Sequence, residues 1–177
     1  MRILITLEDE WIESMASMIS AAFKRGATVF IAGNGGSFAD SQHMVAELCC
    51  TYLDKNRKGF SAIALGTNSS ITTAWSNDNG YETAFARELE ALGKPGDIFI
   101  GITTSGGSKN IINALEKAKE LGLYTILLTG KKYNNQWRKC IDYTVVIDSG
   151  NTPRIQESHI ALIHEVCDLV EQKMKVE

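Results

Sequence analysis

A chain of 177 residues, 44% hydrophobic and 22% charged, is sized for a single globular domain with a full core. Its net charge of -3, with 18 Lys and Arg scattered along the chain, gives no footprint for a polyanion and excludes nucleic acid as the main ligand. No apolar run approaches a membrane span, and Glu8, Asp9 and Glu10 interrupt the apolar start too early for a secretory leader.

The expected organisation is one domain over residues 1–177, with an N-terminal helix at about 7–25 and an α/β core at about 27–177. Trp11, Ile12, Met15, Met18, Ile19, Ala22 and Phe23 recur at helical spacing, and the helix is entered near Thr6. Short, continuously apolar runs at 28–32, 60–65, 97–102, 124–128 and 143–147 then alternate with helical patterns at 37–53, 69–74, 82–92, 108–121 and 154–175. Strands that are apolar on both faces suit a parallel sheet covered on both sides, so the fold class is α/β, doubly wound, with five strands. Cys49, Cys50, Cys140 and Cys167 form no CxxC pair, which predicts reduced thiols in a cytoplasmic protein. Any metal would have to use His, carboxylate or amide donors.

In such sheets ligands sit beyond the carboxyl ends of the strands. After the first strand runs Gly33-Asn34-Gly35-Gly36-Ser37, where the backbone can approach a ligand and a helix starts. A dinucleotide fingerprint would need a glycine where Phe38 stands and an acid near Leu65-Gly66-Thr67, so a nicotinamide or flavin is disfavoured. After the third strand, Thr103-Thr104-Ser105-Gly106-Gly107-Ser108 combines hydroxyls, two glycines and a helix N-terminus, chemistry suited to a phosphate monoester. The plainer reading of that loop is a turn with Ser108 as N-cap.

All three histidines fall on two predicted helices. His43 and Glu47, four apart, share a face. Gln156 and His164, eight apart, differ by about 80° around their helix, and His159 lies about 300° from Gln156, also within reach of that side. Each of these residues has an ordinary structural alternative, and the joint case depends on the two helices meeting.

Taken together, the strings from Gly33 through His43 to Glu47, Asn77-Asp78, Pro95-Gly96-Asp97 leading to 103–108, and Arg154-Ile155-Gln156-Glu157 followed by His159 and His164 resemble the phosphoheptose isomerase family of SIS-domain proteins. The resemblance covers the chain from about Ala27 onward. It implies a flavodoxin-like strand order, a homotetramer with sites shared between subunits, and conversion of sedoheptulose 7-phosphate to heptose 7-phosphate for lipopolysaccharide or capsule. It further implies zinc held by His43, Glu47, Gln156 and His164. Substrate contacts implied by it come from Asn34, Gly35, Gly36, Ser37, Glu47, Asn77, Asp78, Thr103, Thr104, Ser105, Ser108 and Gln156. Moving a carbonyl between neighbouring carbons needs a base and an acid flanking them, roles that fall to Glu47 and His164.

Three positions depart from the family pattern: Thr51 where many members carry arginine, Asn68 where many carry aspartate, and Gly107 where many carry asparagine. Loss of the arginine removes a bidentate partner for phosphate or hydroxyl, with Lys55, Arg57 or Lys58 as candidate replacements. The competing readings are an isomerase for a different ketose phosphate and a non-catalytic SIS-domain sugar-phosphate regulator. Retention of Glu47 and His164 favours the enzyme. A zinc hydrolase lacks an evident oxyanion-stabilising group.

Overall fold

The structure is a computed structural model and describes residues 8–135 and 137–175. In chain order the elements are α1 (Asp9–Lys24), β1 (Val29–Ala32), α2 (Gly36–Cys49), β2 (Ala62–Ala64), α3 (Ser69–Asn79), α4 (Ala84–Leu92), β3 (Ile98–Thr103), α5 (Lys109–Glu120), β4 (Tyr124–Gly130), β5 (Tyr143–Ile147) and α6 (Thr152–Lys175). Short 3-10 turns lie at Tyr81–Thr83 and Arg138–Cys140. The five strands pair in parallel in the order β2-β1-β3-β4-β5, the flavodoxin-like arrangement, with β1 and β3 adjacent at the reversal of strand order.

Strand side chains alternate between two cores. Val29, Ile31, Ile98, Ile100, Ile126 and Leu128 pack with Met15 and Ile19 of α1, Met44 and Leu48 of α2, and Leu162, Val166 and Val170 of α6. On the opposite face, Phe30, Phe99 and Leu127 pack with Phe85 and Leu89 of α4 and with Ile111, Leu115 and Ala118 of α5. The two histidine-bearing helices, α2 and α6, therefore lie on one face of the sheet. Both start at its carboxyl edge.

Several boundaries differ from the sequence expectation, each for a physical reason. The start near Thr6 lies outside the described residues. Helix α2 stops at Cys49 rather than 53, because the Arg57 guanidinium takes the carbonyls of Glu47 and Leu48, and Phe60 N–H also donates to Leu48. Helix α3 runs on to Asn79 rather than ending at 74. It is capped by Asn68, whose side chain accepts from the Ser70 and Ile71 N–H groups, and it stops at Gly80, whose φ is 88°. No residue of α3 is buried, so no apolar stripe marks its length.

Candidate active site

The shared core of α2 and α6 brings their outward polar residues together. His43 Nε2 lies 3.1 Å from Glu47 Oε1 and 3.2 Å from His164 Nε2, with the two imidazole rings 5.0 Å apart at 65°. The Tyr52 ring stacks on His164 from the far side, at 6.0 Å and 19°. The His43 and Glu47 side chains remain 43% and 22% exposed, so the cluster is open to a ligand.

These contacts bring a carboxylate oxygen and a second imidazole nitrogen onto one ring nitrogen, and one proton there cannot serve both, whereas a cation could bind all three. Zinc bonds of about 2.0–2.1 Å place tetrahedral ligand atoms about 3.3 Å apart, close to both spacings. Two imidazoles and a carboxylate are ordinary zinc donors and an amide a weak one, so His43, Glu47 and His164 fit the ion. Two of the three edges are formed, from His43 to each neighbour. Among the described residues, no group of three His, Cys, Asp or Glu side chains is gathered tightly enough to make a metal site unaided.

Gln156 sits at the other end of the groove, against Gly36, where an added Cβ would come within 2.8 Å of its Cδ. Eight residues of α6 separate Gln156 from His164, roughly 12 Å along the axis. There it lines a cleft of about 310 Å³ with Asn34, Gly35, Gly36, Ser37, Thr103, Thr104, Ser108 and Thr152. The loops after β1 and β3 thus face the N-terminal end of α6 across a single cavity. In the hydroxyl loop, the Ser108 hydroxyl makes no capping bond. Ser108 does hold the N-cap position of α5, but its hydroxyl lies 2.8 Å from Thr103 Oγ1 instead of bonding the first turn. Ser105 Oγ accepts from Gly107 N–H and lies at the exposed rim.

Other expected residues are placed differently. Asn77 and Asp78 lie exposed on α3, hydrogen bonded to each other at 2.8 Å, and neither lines this cleft. His159 is fully buried, with Nε2 3.4 Å from the Thr129 carbonyl, so it belongs to the core rather than the groove. Burial pushes its imidazole down to about 4. Arg57 cannot stand in for the missing arginine, because its guanidinium is spent on Glu171, at 2.6 Å, and on the carbonyls that end α2. Lys55 and Lys58 are exposed on the same segment.

The structure also adds residues that sequence reading passed over. Asp40 lies on α2 three residues before His43, and its Oδ2 is buried with no partner among the described residues. Burial pushes its carboxyl up to about 6 against the opposing pull of His43. Its i, i+3 spacing from His43 was the available signal. Glu171 accepts from the N–H groups of Tyr52, Leu53 and Asp54, and so anchors the segment that carries the Tyr52 ring to His164.

Residues 1–130 match the SIS domain family. The chain is 47% identical to a phosphoheptose isomerase of Aquifex aeolicus, over 95% of this chain and 87% of that protein. It is 46% identical to one of Clostridium acetobutylicum, over 93% of this chain and 83% of that one. The solved structure of a phosphoheptose isomerase from Francisella tularensis superposes with a TM-score of 0.88 at 32% identity, covering 93% of this chain and 86% of the other. With the α2–α6 cluster and the two ligand loops in the expected places along its length, the chain belongs to the phosphoheptose isomerase family of SIS-domain proteins.

Proposed function

We propose that this chain is an aldose–ketose isomerase that interconverts sedoheptulose 7-phosphate and D-glycero-D-manno-heptose 7-phosphate through an enediol. The observation that carries this reading is the contact of Glu47, His43 and His164 across α2 and α6, one groove away from a hydroxyl-rich helix N-terminus. Relatives at about 45% identity that bear the isomerase name support the substrate.

The hydroxyls of Thr103, Thr104, Ser105 and Ser108, with the N-terminus of α5, receive the phosphate and orient the chain of carbons. Glu47 takes the proton from C1 of the ketose, and His164 delivers a proton to the C2 oxygen, leaving the enediol. Return of the carbon proton to C2, with loss of the O1 proton to the imidazole, completes the aldose. Tyr52 shields the outer face of His164 from water. A zinc ion held by His43, Glu47 and His164 would polarise the carbonyl as a Lewis acid, and Gln156, the fourth donor the resemblance implies, would have to swing away from Gly36 to reach it. A tightly ligated carboxylate is a poor base, so loose retention of that ion accords with the role of Glu47.

We further propose a homotetramer with shared sites, supported by the exposure of Asn77 and Asp78 away from their own cleft, where a second copy can meet them. Four free thiols support a reducing, cytoplasmic setting, and no helix among the described residues is long and apolar enough to cross a membrane. The product would feed heptose into lipopolysaccharide or capsule.

The test is Glu47→Gln, assayed by NMR with sedoheptulose 7-phosphate. Turnover should fall by about 10²–10⁴-fold, the usual worth of a positioned base, while affinity for the sugar phosphate changes less than about threefold. Retained turnover would remove Glu47 from the mechanism. Binding without conversion by the unmodified chain would point to a regulator.

A further inference from the structure

The loop after β1 and the loop after β3 line one cleft, and a single set of side chains ties them together. Asn34 Nδ2 donates to Asn110 Oδ1 at 2.9 Å, and Asn110 Nδ2 donates back to Asn34 Oδ1 at 2.8 Å. The Tyr81 hydroxyl donates to the same Asn34 oxygen at 2.8 Å. Both acceptor positions of that oxygen are therefore filled by protein, and one of the two amide hydrogens is used as well. Asn110 is 5% exposed in the first turn of α5, where its Oδ1 also accepts from Ile111 N–H at 3.0 Å. It thus belongs to the element that presents the hydroxyl loop. Tyr81 lies in the 3-10 turn after α3, its ring edge-on to Phe85 at 5.8 Å.

We propose that Asn110 and Tyr81 are positioning residues, which clamp Asn34 so that the glycine loop and the phosphate loop keep the separation a sugar phosphate needs. In this arrangement the Asn34 side chain serves the protein, and its segment meets substrate through the neighbouring backbone of Gly35 and Gly36. The clamp acts on a ligand that spans both loops and not on one that occupies the phosphate loop alone. A reciprocal amide pair with Asn110 buried and Asn34 half-buried suits that task, because an unpaired amide there would cost more than the bond itself contributes. The inference rests on the proposed isomerase reading.

The experiment measures affinity for sedoheptulose 7-phosphate and for inorganic phosphate by calorimetry, together with kcat/KM, in the full chain and in Tyr81→Phe and Asn110→Ala. Tyr81→Phe keeps the ring on Phe85 and removes one neutral hydrogen bond, so kcat/KM and sugar-phosphate affinity should fall about 3–10-fold. Asn110→Ala strands the Asn34 amide and should cost about 10–100-fold. Phosphate affinity should stay within about twofold in both, and the double variant should lose no more than Asn110→Ala alone, since both act through one oxygen. Equal losses for the two ligands would reduce the residues to a general structural role and overturn the clamp, as would unchanged kcat/KM in Tyr81→Phe or fully additive losses. If Asn110→Ala fails to fold, Tyr81→Phe decides alone. An unmodified chain that binds phosphate but neither binds nor converts the sugar phosphate would instead defeat the isomerase reading, and the clamp with it.

Discussion

Glu171→Gln removes one negative charge from a point where four donors converge: Arg57 Nε at 2.6 Å and the N–H groups of Tyr52, Leu53 and Asp54 at 2.9, 3.1 and 2.8 Å. The Arg57 and Glu171 side chains are only 8% and 2% exposed. A carboxamide in that place sets its own N–H₂ against donors and leaves the guanidinium without its counter-charge. Breaking a buried pair on one side costs about 3–5 kcal/mol. At this chain length each kcal/mol lowers Tm by about 2–4 °C, so a drop of roughly 6–20 °C is expected. Activity should fall as well, measured at a temperature where the variant is still folded. The released 52–54 segment takes Tyr52 off His164, and Arg57 loosens its hold on the end of α2 beside Glu47.

The pH dependence has a definite sign. Burial alone would raise the Glu171 carboxyl, but Arg57 and the three N–H groups outweigh it and hold the group below its ordinary value of 4.5. A depressed carboxyl contributes its full stability above the unfolded value and loses it as pH falls through the folded one. The Tm difference between the unmodified chain and Glu171→Gln should therefore be constant at neutral pH and shrink below about pH 4.5. The double variant Arg57→Met, Glu171→Met should be more stable than the sum of its single changes predicts. A Tm shift under about 2 °C for Glu171→Gln would give this network no more weight than an exposed ion pair and refute the reasoning.

Other expectations follow from single contacts. His159 is neutral in the fold, its imidazole pushed down to about 4 from 6.5, and it takes a proton on unfolding in mild acid. Stability should decline as pH falls from 6.5 towards 4, by up to about 3 kcal/mol from this group. Urea titrations at several pH values should show a flatter profile in His159→Gln, and an identical profile would reject the assignment. Gly36→Ala drives a methyl into Gln156 and should cut kcat/KM about tenfold or more with little change in Tm, because a small misplacement of the bound sugar phosphate is expensive at the reacting carbons. Gly107→Asn meets nothing closer than Ser105 Oγ at 3.9 Å and should fold and turn over normally, so a large loss would reveal a backbone requirement there. Zinc titrated into the purified chain should release heat that His164→Ala abolishes; an unchanged isotherm would place the ion elsewhere.

The fold class was legible because continuous apolar runs suit buried parallel strands and little else at that length, whereas the strand order came only with the family resemblance. The chemistry-bearing helices were legible one at a time, since i, i+4 spacing fixes the face of each. Their meeting was not. It is decided by Met44 and Leu48 packing with Leu162 and Val166 over the same strands, a long-range choice that periodicity within a helix does not encode. The same limit explains the end of α2, which is set by Arg57 and by a glutamate 114 residues further on. Helix α3 ran past its expected end because an exposed helix carries no stripe to measure.

On the clamp proposed above, Asn34 marks the site while its side chain serves as a brace. Its setting among glycines, at the end of a strand, points correctly to the ligand cleft, and Gly35, Gly36 and Ser37 beside it do line that cleft. An asparagine amide, however, pairs as readily with another amide as with a sugar hydroxyl, and nothing local in the sequence distinguishes the two. The deciding partner, Asn110, lies 76 residues away inside a segment that reads as ordinary helix. The bracing role rests on a pair of distances of 2.8 and 2.9 Å across two loops. Those distances follow from the adjacency of β1 and β3 in the sheet, so the strand order itself dictates which loop residues can brace one another and which remain free for the substrate.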